Sequence, residues 1–254
     1  LLSNSITKYF KYFKYVKQYI YKTNVDIIIA SDLYSMIPTV QSKTYHKAKI
    51  LYDSRELYTK LAGLKYKPLI QKIWSQYEKK YIKGVDNILV TADIDKIYLQ
   101  KLYKHPKIEI IKNLPGDSFL KNSPINIKSL LGLEKNTPVL LYQGKFHHGR
   151  GIRFSIKCIS KIKESILVLI GDGPMKKKYL EMADKYNMQN RIFFLEPVPY
   201  QNLASFATNA DIGLSLIQPI SKSYEHALPN KLYEYAVSGL PCICSNLEAM
   251  ELMI

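Results

Sequence analysis

Short apolar runs alternate along the chain with longer segments of helical periodicity. The run Ile166–Gly171, for example, precedes a helical pattern over Met175–Tyr186. A short, continuous apolar run suits a strand that is buried on both faces of a parallel sheet. Strands that alternate with helices need right-handed crossover connections. The alternation therefore predicts an α/β fold with parallel sheets.

The alternation falls into two blocks. The segment between them, 111–137, is rich in turn-forming residues such as Asn113, Pro115 and Gly116, and this density predicts a linker or hinge. We expect two doubly wound, Rossmann-like domains that face each other across a cleft. The predicted bounds are 1–118 for the first domain, 119–136 for the linker and 137–254 for the second domain.

The same patterns give the expected bounds of each element. Strands are predicted at Val25–Ala30, Lys49–Tyr52, Asn87–Thr91, Glu109–Ile111, Val139–Gln143, Ile166–Gly171, Ile192–Leu195, Ile212–Leu216 and Pro241–Ser245. Helices are predicted at Ser5–Tyr21, Met36–Thr44, Pro68–Lys83, Asp93–Tyr103, Ile127–Leu131, Ile152–Lys163, Met175–Tyr186, Tyr200–Thr208 and Asn230–Ser238.

The chain is strongly basic, with 37 Lys and Arg against 21 Asp and Glu and a net charge of +16. This balance favours anionic partners. The predicted helix Ser5–Tyr21 has lysines on one face and apolar residues on the other. Those lysines form either an ordinary solvated face or a surface attracted to an anionic membrane. No nucleic-acid-binding motif accompanies the charge, so we expect no nucleic-acid partner.

The lengths of the apolar runs and the number of cysteines argue against a membrane-spanning protein and against a disulfide-rich one. The longest uninterrupted apolar runs are far shorter than the roughly 20 residues that cross a bilayer. Cys158, Cys242 and Cys244 are too few for a disulfide framework or a zinc site. We expect reduced cysteines in a cytoplasmic protein, with the inner face of the membrane as the alternative location.

The first candidate for ligand chemistry is the loop after the predicted strand Val139–Gln143, where ligands of open parallel sheets bind. The loop begins at Gly144, ends at Gly151 and carries Lys145 and Arg150. Glycines let the backbone approach a phosphate, and the two cations neutralise it. The alternative is a glycine-rich turn with solvated cations.

The second candidate is the strand-to-helix turn Gly171-Asp172-Gly173-Pro174. Gly171 and Gly173 allow close backbone approach, and Pro174 suits the first turn of a helix. The alternative is a tight turn with a purely structural role.

The third candidate is the helix start Pro229-Asn230-Lys231-Leu232. N–H groups at a helix N-terminus bind anions. Glu234 lies one turn further on, where its carboxylate can accept hydrogen bonds from a vicinal diol such as a ribose. The alternative is an ordinary helix start with a solvated glutamate. Because all three candidates lie at strand ends of one predicted domain, we expect them to converge on one diphosphate.

Together these motifs resemble the retaining glycosyltransferases of group 1, also called family 4, which have two Rossmann-like domains of the GT-B type. That family begins its donor domain with G-R-L-x-x-x-K-G after a strand. Here the same spacing holds Gly144, Lys145, Arg150 and Gly151, with the two cations exchanged. The Gly-Asp-Gly-Pro turn, the strand Asp211–Leu216 and the Pro-Asn-Lys-Leu-Tyr-Glu-Tyr segment are similar to one branch of the family. The resemblance implies that Lys145 and Arg150 bind the donor diphosphate.

The resemblance also implies roles for single residues. Val198 matches a segment near the nucleotide base. Glu234 matches the second of two glutamates that the family spaces eight residues apart, the one that contacts the ribose. The first of these positions falls on His226, with Glu225 beside it. Either residue is therefore a candidate for the catalytic group near the donor sugar.

Acceptor-side loops are expected at Asp32 and around Arg55 and Glu56, because these segments look like loops of the same family. Arg55 stands where members often have a histidine, so that histidine's task is not carried over. A surface loop with a local ion pair is the alternative for Arg55 and Glu56. Asp93 and Asp95 form a D-x-D pair, but at a predicted helix start carboxylates favour the helix dipole. We expect no metal site.

The resemblance implies a transferase that moves a sugar from a nucleoside-diphosphate sugar to a saccharide or lipid-linked acceptor. It further implies retention, independence from metals, no bound cofactor, and a role in cell-surface polysaccharide or glycolipid synthesis. It also implies that the family's first strands and final helices lie outside this chain. The alternatives are a sugar-nucleotide epimerase or phosphorylase on the same fold and a non-catalytic nucleotide-sugar-binding subunit.

Overall fold

A computed structural model describes residues 5–121 and 125–253. The strands are β1 (Ile27–Ala30), β2 (Lys49–Asp53), β3 (Asn87–Val90), β4 (Ile108–Ile110), β5 (Val139–Gln143), β6 (Ile166–Ile170), β7 (Ile192–Leu195), β8 (Ile212–Ser215) and β9 (Cys242–Cys244). The α-helices are α1 (Ser5–Tyr21), α2 (Leu33–Gln41), α3 (Pro68–Tyr81), α4 (Asp93–Tyr103), α5 (Ile127–Leu130), α6 (Ile152–Ile159), α7 (Lys176–Lys185), α8 (Tyr200–Ala207), α9 (Lys222–Glu225), α10 (Asn230–Val237) and α11 (Glu248–Glu251). No helix in these ranges combines the length and apolar character needed to cross a bilayer.

The chain divides into two compact units. The first contains the residues up to Lys112 together with Ile220–His226, and the second contains Asn113–Pro219 and the residues from Ala227 onward. This division differs from the predicted bounds, since the segment 119–136 is grouped with the second unit. Ile125 accordingly donates its N–H to the carbonyl of Ser205 at 2.9 Å.

The first unit contains a four-stranded sheet in the order β1-β2-β3-β4, and every pair is parallel. Each connection moves one strand in the same direction, so over its described strands this sheet is wound singly and differs there from the predicted double winding. Its core includes Met36, Ile37, Ile50 and Ile88. The parallel α/β character is as predicted.

The second unit contains a five-stranded parallel sheet in the order β7-β6-β5-β8-β9. Leu167 and Leu169 of β6 belong to one core cluster, while Val168 and Ile170 belong to the other. Successive side chains of a strand point to opposite faces, so the sheet has a core on each face. This unit is doubly wound, as predicted.

Two helix bounds are shifted from the predicted ones, and local chemistry explains the first of them. The helix α2 begins at Leu33 rather than at Met36, because the carboxylate of Asp32 caps it by accepting the N–H of Ser35 at 2.6 Å. An N-cap of this kind satisfies one of the free N–H groups of the first turn. The helix α6 ends at Ile159 rather than at Lys163.

Candidate functional site

The candidate site lies at the carboxyl ends of β5 and β8. From β5 the chain adds β6 and β7 on one side, and then returns to add β8 and β9 on the other. The connections that follow the two central strands therefore lead in opposite directions along the sheet. This reversal of strand order is where doubly wound sheets bind their ligands.

The first two predicted loops pack directly against each other. The N–H of Phe146 donates to the carbonyl of Asp172 at 2.8 Å, and the N–H of Met175 donates to the carbonyl of Phe146 at 3.1 Å. Gly171 has a φ of +143°, and a Cβ atom placed there would lie 2.0 Å from the carbonyl oxygen of Gly144. Only glycine permits this approach, so the two loops form one layer of backbone.

The same loop also contacts the chain that follows β8. Gly151 has a φ of +81°, and a Cβ atom there would lie 2.1 Å from the carbonyl oxygen of Leu216. The N–H of Gln218 donates to the carbonyl of Gly149 at 2.8 Å. The loop that carries Lys145 and Arg150 is therefore fixed on both sides.

Lys231, in the first turn of α10, reaches back to this loop. Its Nζ atom lies 3.5 Å from the centroid of the Tyr142 ring and 3.4 Å from the place that a Cβ of Gly144 would occupy. Cation–π contact stabilises an ammonium that has lost water. Burial lowers the pKa of Lys231 well below its ordinary value, and the nearby Arg150 lowers it further.

Glu234 lies one turn further along α10 and is also buried. The side-chain amide of Gln143, the last residue of β5, donates to Oε2 of Glu234 at 2.5 Å. Burial raises the pKa of this carboxyl, while the hydrogen bond from Gln143 and the charge of Lys231 lower it. A buried carboxylate with an amide donor is suited to accept hydroxyl hydrogens from a ligand.

Tyr235 holds α10 on the sheet. Its hydroxyl donates to the carbonyl of Leu141 and accepts the N–H of Gln143, both at 3.2 Å. Its ring covers Gly213, where a Cβ atom would lie 2.6 Å from the ring. The positions of Lys231 and Glu234 are thus tied to the central strand.

The other predicted donor-binding residues also belong to the second unit. Lys145 and Asn230 are exposed, Arg150, Val198 and Pro229 are partly buried, and Leu232 is buried. Pro229 is the N-cap of α10 and gives no side-chain hydrogen bond to it. Gly173 packs on the carbonyl of Phe146, at 2.6 Å from a hypothetical Cβ. The structure therefore brings the Gly144 loop, the Gly171 loop and the start of α10 together.

His226 and Glu225 are grouped with the first unit instead. Nδ1 of His226 lies 2.9 Å from Oδ1 of Asp95, and its ring meets Tyr98 edge to face at 5.4 Å between centroids. Glu225 forms an ion pair with Lys222 at 3.1 Å. The catalytic assignment of either residue stays a prediction.

The acceptor-side candidates also lie in the first unit. Asp32 is the N-cap of α2. Arg55 pairs with Asp53 at 2.6 Å, on the surface, which is the local ion pair considered as the alternative. Glu56 is exposed. Their part in acceptor binding stays a prediction.

Carboxylates open α4, as the helix-dipole interpretation expects, since Asp93 and Asp95 are in its first turn. Asp95 is nevertheless buried and bound to His226. Among residues 5–121 and 125–253, no group of three or more His, Cys, Asp and Glu side chains is arranged to hold a metal ion.

The sequence indicated no site role for Tyr142 or Gln143, and for Asp95 it indicated only a helix start. A signal existed for the first two, because polar atoms at the end of the buried run Val139–Gln143 need partners. Both residues are 1% exposed and contact α10. The contact of Asp95 with His226 joins positions 131 residues apart, so no local sequence pattern predicts it.

Known proteins are similar to this chain in sequence and in fold. A glycosyltransferase of Methanocaldococcus jannaschii, described as uncharacterised and named MJ1059, is 26% identical over 189 residues, which are 70% of this chain and 44% of that protein. The chain thus spans less than half of that relative's length. Sucrose-phosphate synthase of Thermosynechococcus elongatus superposes with a TM-score of 0.78 at 18% identity, over 100% of this chain and 64% of that one.

HepE of Anabaena, solved in complex with UDP, superposes with a TM-score of 0.72 at 13% identity, over 95% of this chain and 65% of that one. At such identities, the two solved structures show a shared fold. The family model of the group 1 glycosyl transferases matches residues 125–254, which is more than half of the chain and includes the loops and α10 described above. The chain therefore belongs to the group 1 glycosyl transferases.

Proposed function

We propose that this chain binds a nucleoside-diphosphate sugar and transfers its sugar to the hydroxyl of a saccharide or lipid-linked acceptor, with retention and without a metal. The observation that carries the proposal is the meeting of three elements at the carboxyl edge of the second sheet. These are the Gly144 loop, the Gly171 loop and the start of α10. We further propose a place in cell-surface polysaccharide or glycolipid synthesis, which rests on the family resemblance.

Cations and backbone N–H groups bind the diphosphate in this proposal. Lys145 follows Gly144 in the loop, the Nζ atom of Lys231 lies beside Gly144, and Arg150 is near enough to Lys231 to lower its pKa. The first N–H groups of α10 have no partner within the helix, as at any helix start. When the bond between the anomeric carbon and the diphosphate breaks, negative charge grows on the leaving oxygen. Fixed positive groups that face this oxygen lower the barrier and take the place of a metal.

Glu234 binds the ribose in this proposal, and Gln143 orients Glu234. The ionised carboxylate of Glu234 accepts hydrogen bonds from the ribose hydroxyls, and Gln143 fixes its orientation from the strand side at 2.5 Å. The UDP complex of HepE, a protein with the same fold, supports a nucleotide ligand of this class. The acceptor oxygen forms the new bond to the anomeric carbon as the bond to the diphosphate breaks, and its proton passes to the leaving diphosphate oxygen.

A donor panel tests the proposal. The protein is incubated, in the presence of EDTA, with UDP-, GDP-, ADP- and dTDP-sugars and with saccharide and lipid-linked acceptors. Acceptor-dependent release of the nucleoside diphosphate, with the sugar recovered in the product, supports transfer. NMR of the new linkage reports whether the anomeric configuration is retained.

The other outcomes identify the alternatives. An epimer formed without nucleotide release indicates an epimerase, and release that depends on phosphate indicates a phosphorylase. Binding of a nucleotide sugar without turnover on any acceptor indicates a non-catalytic subunit. Each of these results contradicts transfer.

A further inference from the structure

Two polar side chains at the carboxyl edge of the second sheet have buried atoms without partners. They are Oε1 of Gln143, at the end of β5, and Oγ of Ser215, at the end of β8, and neither has a hydrogen-bond partner in the part of the chain that the structure describes. Both residues are 1% exposed. A buried polar group without a partner costs about 1–3 kcal/mol, so a ligand that pairs with these atoms gains free energy.

The strand pairing places the two side chains on one face of the sheet. Strands β5 and β8 are parallel, with Leu141 opposite Gly213. Gln143 and Ser215 each lie two residues further on, and residues two apart on a strand point to the same face. The ring of Tyr235 covers Gly213, so this is the face on which α10 packs.

Glu234 of α10 lies beside Gln143 and fixes the orientation of its amide. Nε2 of Gln143 donates to Oε2 of Glu234 at 2.5 Å. An ionised carboxylate only accepts hydrogen bonds, so the flipped amide would set two acceptors against each other. Oε1 of Gln143 is therefore the acceptor that lacks a donor, while the hydroxyl of Ser215 can donate or accept. We call Gln143, Ser215 and Glu234 the polar cluster.

Position distinguishes Ser215 from other buried hydroxyls. Oγ of Ser165 also lacks a partner among the described residues, but Ser165 directly precedes β6 and so lies at the amino edge of the sheet. Ligands of open parallel sheets bind at the carboxyl ends of the strands. Of these two serines, Ser215 is thus the one that lies where a ligand is expected.

We propose that the polar cluster selects a ribose and rejects a 2′-deoxyribose, with Gln143 and Ser215 as specificity-determining residues beside Glu234. A ribose diol supplies two O–H donors and two oxygen acceptors. Its hydroxyls donate to the carboxylate of Glu234 and to Oε1 of Gln143, and one of its oxygens accepts the hydroxyl of Ser215. A 2′-deoxyribose has one hydroxyl fewer and leaves a buried polar atom without a partner. Sites of this kind reject such analogues strongly.

Entry of the ribose requires a side chain to move, because the whole polar cluster is buried. Lys231 lies one turn before Glu234 on α10 and is itself buried. The positive charge of Arg150 opposes a second positive charge on Lys231. A diphosphate attracts the ammonium of Lys231 and offsets this repulsion. The ribose therefore reaches the polar cluster as the diphosphate draws Lys231 aside.

This inference rests on the proposed function and narrows its donor to ribonucleoside-diphosphate sugars. UDP-, GDP- and ADP-sugars carry the 2′-hydroxyl, whereas dTDP-sugars lack it. We therefore expect dTDP-sugars to be the poorest donors of the panel, whichever sugar they carry.

Calorimetry with matched nucleotides tests the inference on the whole chain. The probes are UDP, GDP and ADP, each compared with its 2′-deoxy counterpart, so that the base and the diphosphate stay the same. We expect the tightest-binding ribonucleotide to bind about 100-fold or more tighter than its deoxy form. Equal affinity for the two overturns the inference and leaves the proposed function standing. Binding of no nucleotide at all contradicts the proposed function as well.

Three variants test whether the preference belongs to the polar cluster. Gln143→Ala should lower the ratio of ribonucleotide to deoxynucleotide affinity about tenfold, and Ser215→Ala about threefold or more, because each removes a hydrogen bond that only the ribose makes. Ser165→Ala is the matched control, since it removes an unpartnered buried hydroxyl at the amino edge, and its ratio should match the wild type.

Circular dichroism verifies that each variant is folded. An unchanged ratio in both Gln143→Ala and Ser215→Ala overturns the assignment, even where the wild type prefers the ribonucleotide. An equal fall in Ser165→Ala and Ser215→Ala would show a general effect of losing a buried hydroxyl and would contradict the role of Ser215.

Discussion

Nδ1 of His226 lies 2.9 Å from Oδ1 of Asp95, and the two residues are only 5% and 6% exposed. The contact ties the segment after Pro219 to the first turn of α4 within the first unit. Buried polar groups of this kind are costly to leave without a partner.

Asp95→Ala should therefore destabilise the protein by about 1–3 kcal/mol, the cost of an unsatisfied buried donor. Urea unfolding followed by circular dichroism measures the change. Asp93→Ala is the matched control, because Asp93 is in the same first turn but is exposed, and it should cost less than about 1 kcal/mol. Equal costs for the two variants would show that the contact with His226 contributes nothing.

Gln143→Ala should weaken nucleoside-diphosphate binding about tenfold, the equivalent of one hydrogen bond to a charged group. Burial raises the pKa of Glu234, and the hydrogen bond from Gln143 lowers it. Without that hydrogen bond, the pKa of Glu234 should be higher in the variant than in the wild type. Because the ionised carboxylate accepts the ribose hydroxyls, affinity falls as the pH falls through this pKa. The loss of affinity should therefore begin at a higher pH in the variant than in the wild type.

Calorimetric titrations over a pH series measure both effects. The exposed Gln189 provides the control variant Gln189→Ala, which should match the wild type. A pH profile that Gln143→Ala leaves unmoved would exclude Glu234 as the titrating group.

Lys231 should take up a proton when a diphosphate binds. Its pKa is lowered by burial and then by Arg150, while Glu234 raises it, and Cys242 and Tyr142 also face it. Between this lowered pKa and the ordinary lysine pKa the amine is largely neutral, and an arriving diphosphate raises its pKa again. Titrations in two buffers of different ionisation enthalpy, above the last phosphate pKa, measure the uptake. Lys231→Met should abolish the difference between buffers, and a difference that persists in this variant would assign the proton to another group.

Gly151→Ala should destabilise the second unit by about 2–4 kcal/mol, through backbone strain and overpacking. The φ of Gly151 is +81°, and its Cβ would lie 2.1 Å from the carbonyl oxygen of Leu216. Gly116→Ala is the control in the same unit, since a Cβ there meets nothing within 4 Å. Thermal unfolding compares the two, and an equally mild effect at both positions would contradict the described packing.

The second sheet was predictable because its strands are continuous apolar runs, and β5 and β7 have the expected bounds. Glycine and proline positions likewise indicated which loops meet there. The order of the first sheet was not predictable, because strand periodicity specifies which residues are buried and leaves open which strands are neighbours.

Long-range polar contacts also could not be predicted from the sequence. The amide of Gln143 meets Glu234 across 91 positions, and no local pattern couples the two. The short helix α9 was missed for a related reason, since Lys222–Glu225 is a single turn and carries no measurable periodicity. Tertiary contacts specify such elements.

The central claim is that Lys145 and Arg150 bind a nucleoside diphosphate without a metal. Isothermal titration in EDTA, with the tightest-binding of UDP, GDP and ADP, tests it on the wild type, on Lys145→Ala/Arg150→Ala and on Lys157→Ala/Lys161→Ala. The last is a matched control, with two exposed cations removed near the end of α6. We predict that the first pair lowers affinity about 100-fold or more, as the loss of two charge-assisted contacts implies, and that the control stays within about twofold of the wild type. Unchanged affinity in Lys145→Ala/Arg150→Ala, or binding that EDTA abolishes in the wild type, would contradict the claim.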